Sequence, residues 1–176
     1  VIYSASRSII NSKDYRSKVL SYISYEDSSL FYKIKDAGCI KTDKKYILSN
    51  GTTSEYYIDM RSLSSNINVY KDLVKVLSSY VSKSNSIVGI ESASITYAAS
   101  IGSLLEIPFG YIRKEKKTYD TSKVIEGNLD KAKTITMIED VITSGNSAYN
   151  AIIKAINEGY KAVSYTHLTL PTSGVG

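Results

Sequence analysis

Apolar positions along this chain come in short blocks, and their spacing alternates between the periods of strand and helix. Leu73, Val74, Leu77, Tyr80 and Val81 recur every three to four residues, which places them on one face of a helix predicted over Tyr70–Lys83. Ser86-Ile87-Val88-Gly89-Ile90 is short, apolar and β-branched, the signature of a strand buried on both faces. Ile95–Leu105 predicts a helix rich in small residues, and Phe109–Ile112, after Pro108, a second strand. A polar, basic stretch runs from Arg113 to Lys123. Thr134–Ile138 predicts a third strand, and Ala148–Glu158 a helix closed by Gly159. Strand, helix, strand, loop, strand, helix is the rhythm of a parallel sheet covered by helices. Such sheets bind ligands beyond the C-terminal strand ends. The chemistry is therefore expected after Ile90, Ile112 and Ile138.

The N-terminal part is less regular. Residues 1–28 are polar and weakly periodic, with a helix expected around Ser17–Ser24. Leu30–Ala37 reads as a short helix stopped by Gly38. Tyr46-Ile47-Leu48 and Tyr56-Tyr57-Ile58-Asp59 read as two strands joined through the Ser49-Asn50-Gly51 turn.

Composition changes this picture little. The chain has 176 residues, 43% of them hydrophobic and 22% charged, which suits one globular domain. Its formal charge of +5 fits an anionic partner without choosing among phosphate, pyrophosphate and nucleic acid. The lysines are scattered apart from one group at Arg113, Lys114, Lys116 and Lys117, so no nucleic-acid surface is expected. The single cysteine, Cys39, allows no disulfide framework and suits a reducing, cytoplasmic setting. No apolar run approaches the roughly 18 residues of a membrane helix, so no membrane partner is expected.

The segment after the third predicted strand carries the most specific chemistry. Ile135-Thr136-Met137-Ile138 leads into Glu139-Asp140, then Val141-Ile142-Thr143-Ser144-Gly145-Asn146-Ser147, then a helix. Two adjacent carboxylates at a strand end can accept hydrogen bonds from a vicinal diol, or hold a metal through its waters. A hydroxyl-rich turn at a helix N-terminus presents backbone N–H groups to a phosphate monoester. Diol plus phosphate describes a ribose 5-phosphate. Taken alone, the same residues also make an ordinary serine-type helix cap.

The whole string closely resembles the phosphoribosyl-pyrophosphate signature of the type I phosphoribosyltransferases. Two more segments resemble the orotate members. Leu48-Ser49-Asn50-Gly51, continuing through Ser54-Glu55-Tyr56-Tyr57-Ile58-Asp59-Met60-Arg61, resembles their N-terminal hood. Arg113-Lys114-Glu115-Lys116-Lys117, continuing to Val124-Ile125-Glu126-Gly127, resembles their mobile catalytic loop. With Gly89-Ile90-Glu91 the match covers about residues 30–162.

The resemblance implies an α/β fold, with a central parallel sheet flanked by helices and a small N-terminal hood. It implies transfer of a phosphoribosyl group from phosphoribosyl pyrophosphate to orotate, giving orotidine 5′-monophosphate and pyrophosphate in pyrimidine (UMP) biosynthesis. By position it makes Lys117 and Asp140 catalytic, and gives Glu139 and Asp140 the ribose hydroxyls. Val141, Ile142, Thr143, Ser144, Gly145, Asn146 and Ser147 would surround the 5-phosphate, with Thr143 also near the base. Arg113, Lys114, Lys117 and Tyr119 would meet the pyrophosphate, and Tyr57 and Ile58 would border the orotate ring. It implies Mg²⁺ carried mainly by the donor's pyrophosphate, with no direct protein ligand assigned, and a homodimer whose loops reach into the partner's site.

The chain departs from the pattern at Ser49, where many members have Lys, and at Thr118, Tyr119 and Asp120, where Asp, His and Gly are more usual. Two other readings share the fold: a purine or uracil phosphoribosyltransferase, and a non-catalytic sensor of the same donor. The hood pattern favours orotate, and the loop lysines favour an enzyme.

Three regions are expected: an N-terminal extension over 1–28, the transferase domain over 29–162, and a non-native tail over 163–176. Lys161-Ala162-Val163 begins like the family's next apolar strand, which ends in Asp-Arg. From Val163 to Thr172 the letters instead resemble a translated sequencing adapter. With Val1 in place of Met, this marks the chain as a fragment, and leaves the lone His167 no catalytic role. The missing Arg is the family's partner for the orotate carboxylate, so this chain is expected to keep the donor site and to bind orotate poorly.

Overall fold

A computed structural model describes residues 2–5, 28–47, 51, 53–83, 85–115, 123–141, 146–160 and 163–168. The expected helix around Ser17–Ser24 lies outside them. The chain divides into two compact units, Tyr25–Leu73 and a larger one made of Val1–Ser24 with Val74–Gly176.

The smaller unit opens with α1 (Ser28–Asp36). Gly38 ends it at φ 77°, where the Cys39 N–H reaches back to the Ile34 carbonyl at 3.3 Å and the Gly38 N–H to that of Lys35 at 2.9 Å. That is a Schellman stop, as the sequence predicts. Two short antiparallel ribbons follow. β2 (Ile40–Lys41) pairs with β5 (Tyr57–Ile58), and β3 (Tyr46–Ile47) pairs with β4 (Thr53–Ser54). This corrects the sequence reading, in which Tyr46–Leu48 pairs with Tyr56–Asp59. Thr53-Ser54 is the partner nearer in sequence, which leaves Tyr57-Ile58 for Ile40-Lys41. A 3₁₀ turn over Met60–Ser65 buries Met60 and Leu63. The next helix, α2 (Ile67–Ser78), starts three residues earlier and ends five earlier than the apolar spacing predicts.

The larger unit is built on a six-stranded sheet: β1 (Ile2–Ala5), β6 (Ser86–Ile90), β7 (Phe109–Ile112), β8 (Ile125–Glu126), β9 (Ile135–Glu139) and β10 (Val163–Leu168). Their spatial order is β1-β10-β9-β6-β7-β8. The four central strands are mutually parallel, and β1 and β8 close the two edges antiparallel. Helices α3 (Ser94–Leu105) and α4 (Asn146–Asn157) alternate with the strands, as the rhythm of the sequence predicts.

The reason these strands lack polar alternation is burial on both faces. Every residue of β6 and β9 is buried. On one face Val88, Ile90, Ile112, Ile135 and Met137 form a core with Ala148, Ala151, Ile152 and Ala155 of α4. Removing a large side chain such as Ile152 from that core costs about 2–5 kcal/mol. On the opposite face, by strand alternation, lies Gly89. A Cβ there would sit 2.3 Å from the Ser94 carbonyl oxygen, so α3 approaches β6 as closely as backbone allows.

Besides β2 and β4 of the smaller unit, the sequence reading missed two edge strands of this sheet. β8 falls in the Val124–Gly127 string assigned to the loop, and β1 in the polar N-terminal stretch. Val163–Leu168, which sequence reasoning left outside the fold, forms β10, with Val163 opposite Ile135 and His167 opposite Glu139. The pairing uses main-chain amides, which any non-proline sequence offers.

Candidate active site at the strand ends

Parallel pairing brings the C-terminal ends of β6, β7 and β9 to one edge. Ile90 lies opposite Ile112, and Gly89 opposite Ile138. The residues just past those ends are Glu91, Arg113-Lys114 and Asp140, where the sequence placed the chemistry.

Glu139 closes β9 with 7% of its surface exposed, and Asp140 follows it half-buried. The Ser94 hydroxyl, on a fully buried residue at the start of α3, donates to Asp140 Oδ1 at 3.1 Å. This bond ties the turn after β9 to the helix after β6. It fixes one oxygen of a carboxylate whose other oxygen can also accept a hydrogen bond. Ser94 was missed from sequence, because nothing in Glu91-Ser92-Ala93-Ser94 marks one serine over the other.

The turn after β6 also meets the basic segment after β7. Glu91 donates its N–H to the Ile112 carbonyl at 3.0 Å, and its Oε2 accepts from the Lys114 N–H at 3.0 Å. The Glu91–Ser92 peptide is cis. Arg113 donates from Nε to Glu126 Oε1 at 2.8 Å and from Nη2 to the Tyr111 hydroxyl at 3.0 Å, with its guanidinium 5.3 Å from the Tyr111 ring centre. The Glu126 hydrogen bond, aided by the Tyr111, Glu126 and Glu91 charges, raises the Arg113 pKa further above its ordinary value. Sequence reasoning gave this guanidinium to pyrophosphate. In the structure two of its nitrogens are engaged, Nε by Glu126 on the far stem of the loop and Nη2 by Tyr111 on β7. Glu126 was the unrecognised partner.

Of the other residues expected at the donor site, Val141 is half-buried after Asp140, and Asn146 and Ser147 open α4 exposed. Lys117, Thr118, Tyr119, Asp120, Ile142, Thr143, Ser144, Gly145 and Ser49 lie outside the described residues.

Tyr57 and Ile58 belong to the smaller unit, where both are half-buried in β5. Tyr57 stacks on Tyr46, with centres 5.3 Å apart and planes at 23°. Its hydroxyl accepts from Arg61 Nη2 at 3.0 Å, while Arg61 Nε donates to Asp59 Oδ1 at 2.7 Å. The Tyr46 hydroxyl donates in turn to Asp43.

A parallel sheet with an acidic strand end, a hydroxyl-bearing helix start and a basic segment two strands away defines a type I phosphoribosyltransferase fold. The solved orotate phosphoribosyltransferase of Aeropyrum pernix has this architecture, with a TM-score of 0.67 and 28% identity over 76% of each chain. No family profile matches the chain. It is 32% identical to the orotate phosphoribosyltransferase of Methanococcus maripaludis, over 77% of this chain and 76% of that one. It is 38% identical over 129 residues to that of Pyrobaculum calidifontis, spanning 64% of that relative's length. The chain belongs to the orotate phosphoribosyltransferase family.

Proposed function

We propose that this protein transfers the phosphoribosyl group from phosphoribosyl pyrophosphate to orotate. A ring nitrogen of orotate, its proton lost to solvent, bonds to the anomeric carbon as the bond to pyrophosphate breaks. Positive charge develops on the sugar ring and negative charge on the leaving group. The observation that carries this reading is Asp140, oriented by Ser94 at the C-terminal edge of the sheet, in a chain with this family's kinship.

Glu139 and Asp140 accept from the two ribose hydroxyls, and residues 142–147 hold the 5-phosphate at the start of α4. Lys114, with Lys117 and Tyr119, meets the pyrophosphate, where fixed cations stabilise the departing charge. Arg113 joins them while its Nε stays paired with Glu126. Tyr57 and Ile58 border the base.

Among the described residues no three His, Cys, Asp or Glu side chains converge as a metal site. The Glu139-Asp140 pair suits a cation held through its waters and through the donor's own phosphates. When bound, Mg²⁺ neutralises charge on the pyrophosphate. The family reading also carries a homodimer with exchanged loops and a cytoplasmic location. No helix among the described residues is long and apolar enough to cross a membrane.

Calorimetric titration with phosphoribosyl pyrophosphate and Mg²⁺, then with orotate, tests the reading. It is run on this chain and on one whose residues from 163 are replaced by a family-like strand ending in Asp-Arg. The expected result is donor binding by both and orotate binding by the replaced chain alone, as a non-native tail over 163–176 requires. Donor binding by neither overturns the assignment of Glu139–Ser147 as a sugar-phosphate site.

A further inference from the structure

Lys154 and Glu158 stand one turn apart on the same side of α4 and its end, a spacing suited to a mutual ion pair. Each reaches a different stem of the basic loop instead. Lys154 Nζ donates to the carbonyl of Arg113 at 3.2 Å and to that of Lys114. Glu158 Oε1 accepts from the Val124 N–H at 3.4 Å. The stems are joined to each other by the Arg113 N–H to the Val124 carbonyl at 2.9 Å, and by the Arg113–Glu126 ion pair.

Lys114 is the focus of these contacts. Its N–H is held by the Glu91 carboxylate and its carbonyl by the Lys154 ammonium. Both peptide groups of an exposed residue are thus gripped by charged side chains, although water could satisfy them. Ordering a lysine costs side-chain entropy. What the grip achieves is a fixed backbone, and hence a fixed direction for the Cα–Cβ bond from which the Lys114 side chain starts.

We propose that Lys154 and Glu91 are positioning residues that aim Lys114 at the pyrophosphate arm of the donor. This rests on the reaction proposed above. The same helix opens with Asn146 and Ser147, which close the 5-phosphate segment, and Lys154 follows about 11 Å further along its axis. α4 therefore mounts both ends of the donor: sugar phosphate at its first turn, pyrophosphate through Lys154 at its third.

The test uses two probes measured separately by calorimetry, ribose 5-phosphate and inorganic pyrophosphate with Mg²⁺. Lys154→Met, which removes the hydrogen bonds to the Arg113 and Lys114 carbonyls, is expected to weaken pyrophosphate about tenfold, and to leave ribose 5-phosphate unchanged. Lys154→Arg restores most of the loss. Glu91→Ala behaves like Lys154→Met, and Glu91→Gln, which keeps an acceptor, like the wild type. Pyrophosphate affinity unchanged in Lys154→Met overturns the inference, as does a parallel loss of both probes, which marks a merely structural lysine. Wild-type protein that binds ribose 5-phosphate but not pyrophosphate overturns it alone. Wild-type protein that binds neither removes the proposed reaction as well.

Discussion

The buried Ser94 hydroxyl donates to Asp140 Oδ1 at 3.1 Å, joining residues that stand 46 positions apart in sequence. The bond sets the direction from which Asp140 can meet a ligand, so the two residues should act as a unit. Asp140→Asn is expected to weaken ribose 5-phosphate about tenfold to a hundredfold, the range for hydrogen bonds to a charged group. Ser94→Ala should cost about threefold to tenfold on the same scale. Calorimetry on both single variants and the double variant should show a coupling of about 1 kcal/mol. Strict additivity would mean that Ser94 does not orient the carboxylate.

Gly89 decides how close α3 lies to the sheet. Its Cβ would fall 2.3 Å from the Ser94 carbonyl oxygen and 2.8 Å from the Ile95 Cα, both backbone atoms that cannot swing aside. Gly89→Ala should therefore displace the start of α3 and cost at least the upper part of about 1–3 kcal/mol. Thermal melting reads the loss. Because Ser94 moves with the helix, ribose 5-phosphate affinity should fall in the fraction that still folds. An unchanged melting temperature would contradict so close a contact.

α3 ends with the same hydrogen bonds as α1, but with the wrong residue. The Ile107 N–H returns to the Gly102 carbonyl at 3.0 Å, and the turn is made by Glu106 at φ 57°. A side chain in this left-handed region costs about 1–2 kcal/mol, which glycine avoids. Glu106→Gly is expected to raise stability by about 1 kcal/mol in denaturant unfolding, net of the added freedom of the unfolded chain. A loss of stability would show that the Glu106 side chain contributes more than its backbone costs.

The Tyr46–Asp43 bond carries a pH signature. Accepting from the tyrosine holds the Asp43 carboxyl below its ordinary 3.8, and donating to the carboxylate pushes the Tyr46 hydroxyl up from 10.0 to about 12. A lowered acid contributes stability above pH 3.8 that is lost as pH falls through the folded value. A raised tyrosine contributes below pH 10 and loses it as pH climbs towards about 12. The difference between wild type and Asp43→Ala should thus be flat between those limits and shrink at both ends. Spectrophotometric titration should show one tyrosine ionising near 12 in the wild type and near 10 in Asp43→Ala. Identical titration curves would refute the bond.

Periodicity made β6, β7 and β9 and both flanking helices legible, because β6 and β9 are buried on both faces and their letters say so; β10, the fourth central strand, was read as tail. The Schellman stops of α1 and α4 were legible through Gly38 and Gly159. β1 and β8 were not, since edge strands of two to four residues carry too few letters for a period. β3 and β5 were each recognised as strands and wrongly paired with each other, because partner choice is a tertiary fact. At the site, Glu139 and Asp140 stood out as a pair of carboxylates at a strand end. Ser94, Glu126 and Lys154 did not, because their roles come from contacts 13 to 46 positions away.

The antiparallel pairing of Ile2 with Leu168 joins nearly the first residue of the chain to nearly the last. On a ribosome adding about 5–20 residues per second, β1 waits on the order of ten seconds for its neighbour to emerge. Until then β9 has β6 on one side and a bare row of peptide groups on the other. An open strand edge of that kind is a template for another chain. Whichever strand follows α4 therefore closes that edge, and nascent copies are most exposed to aggregation in the interval just before it appears.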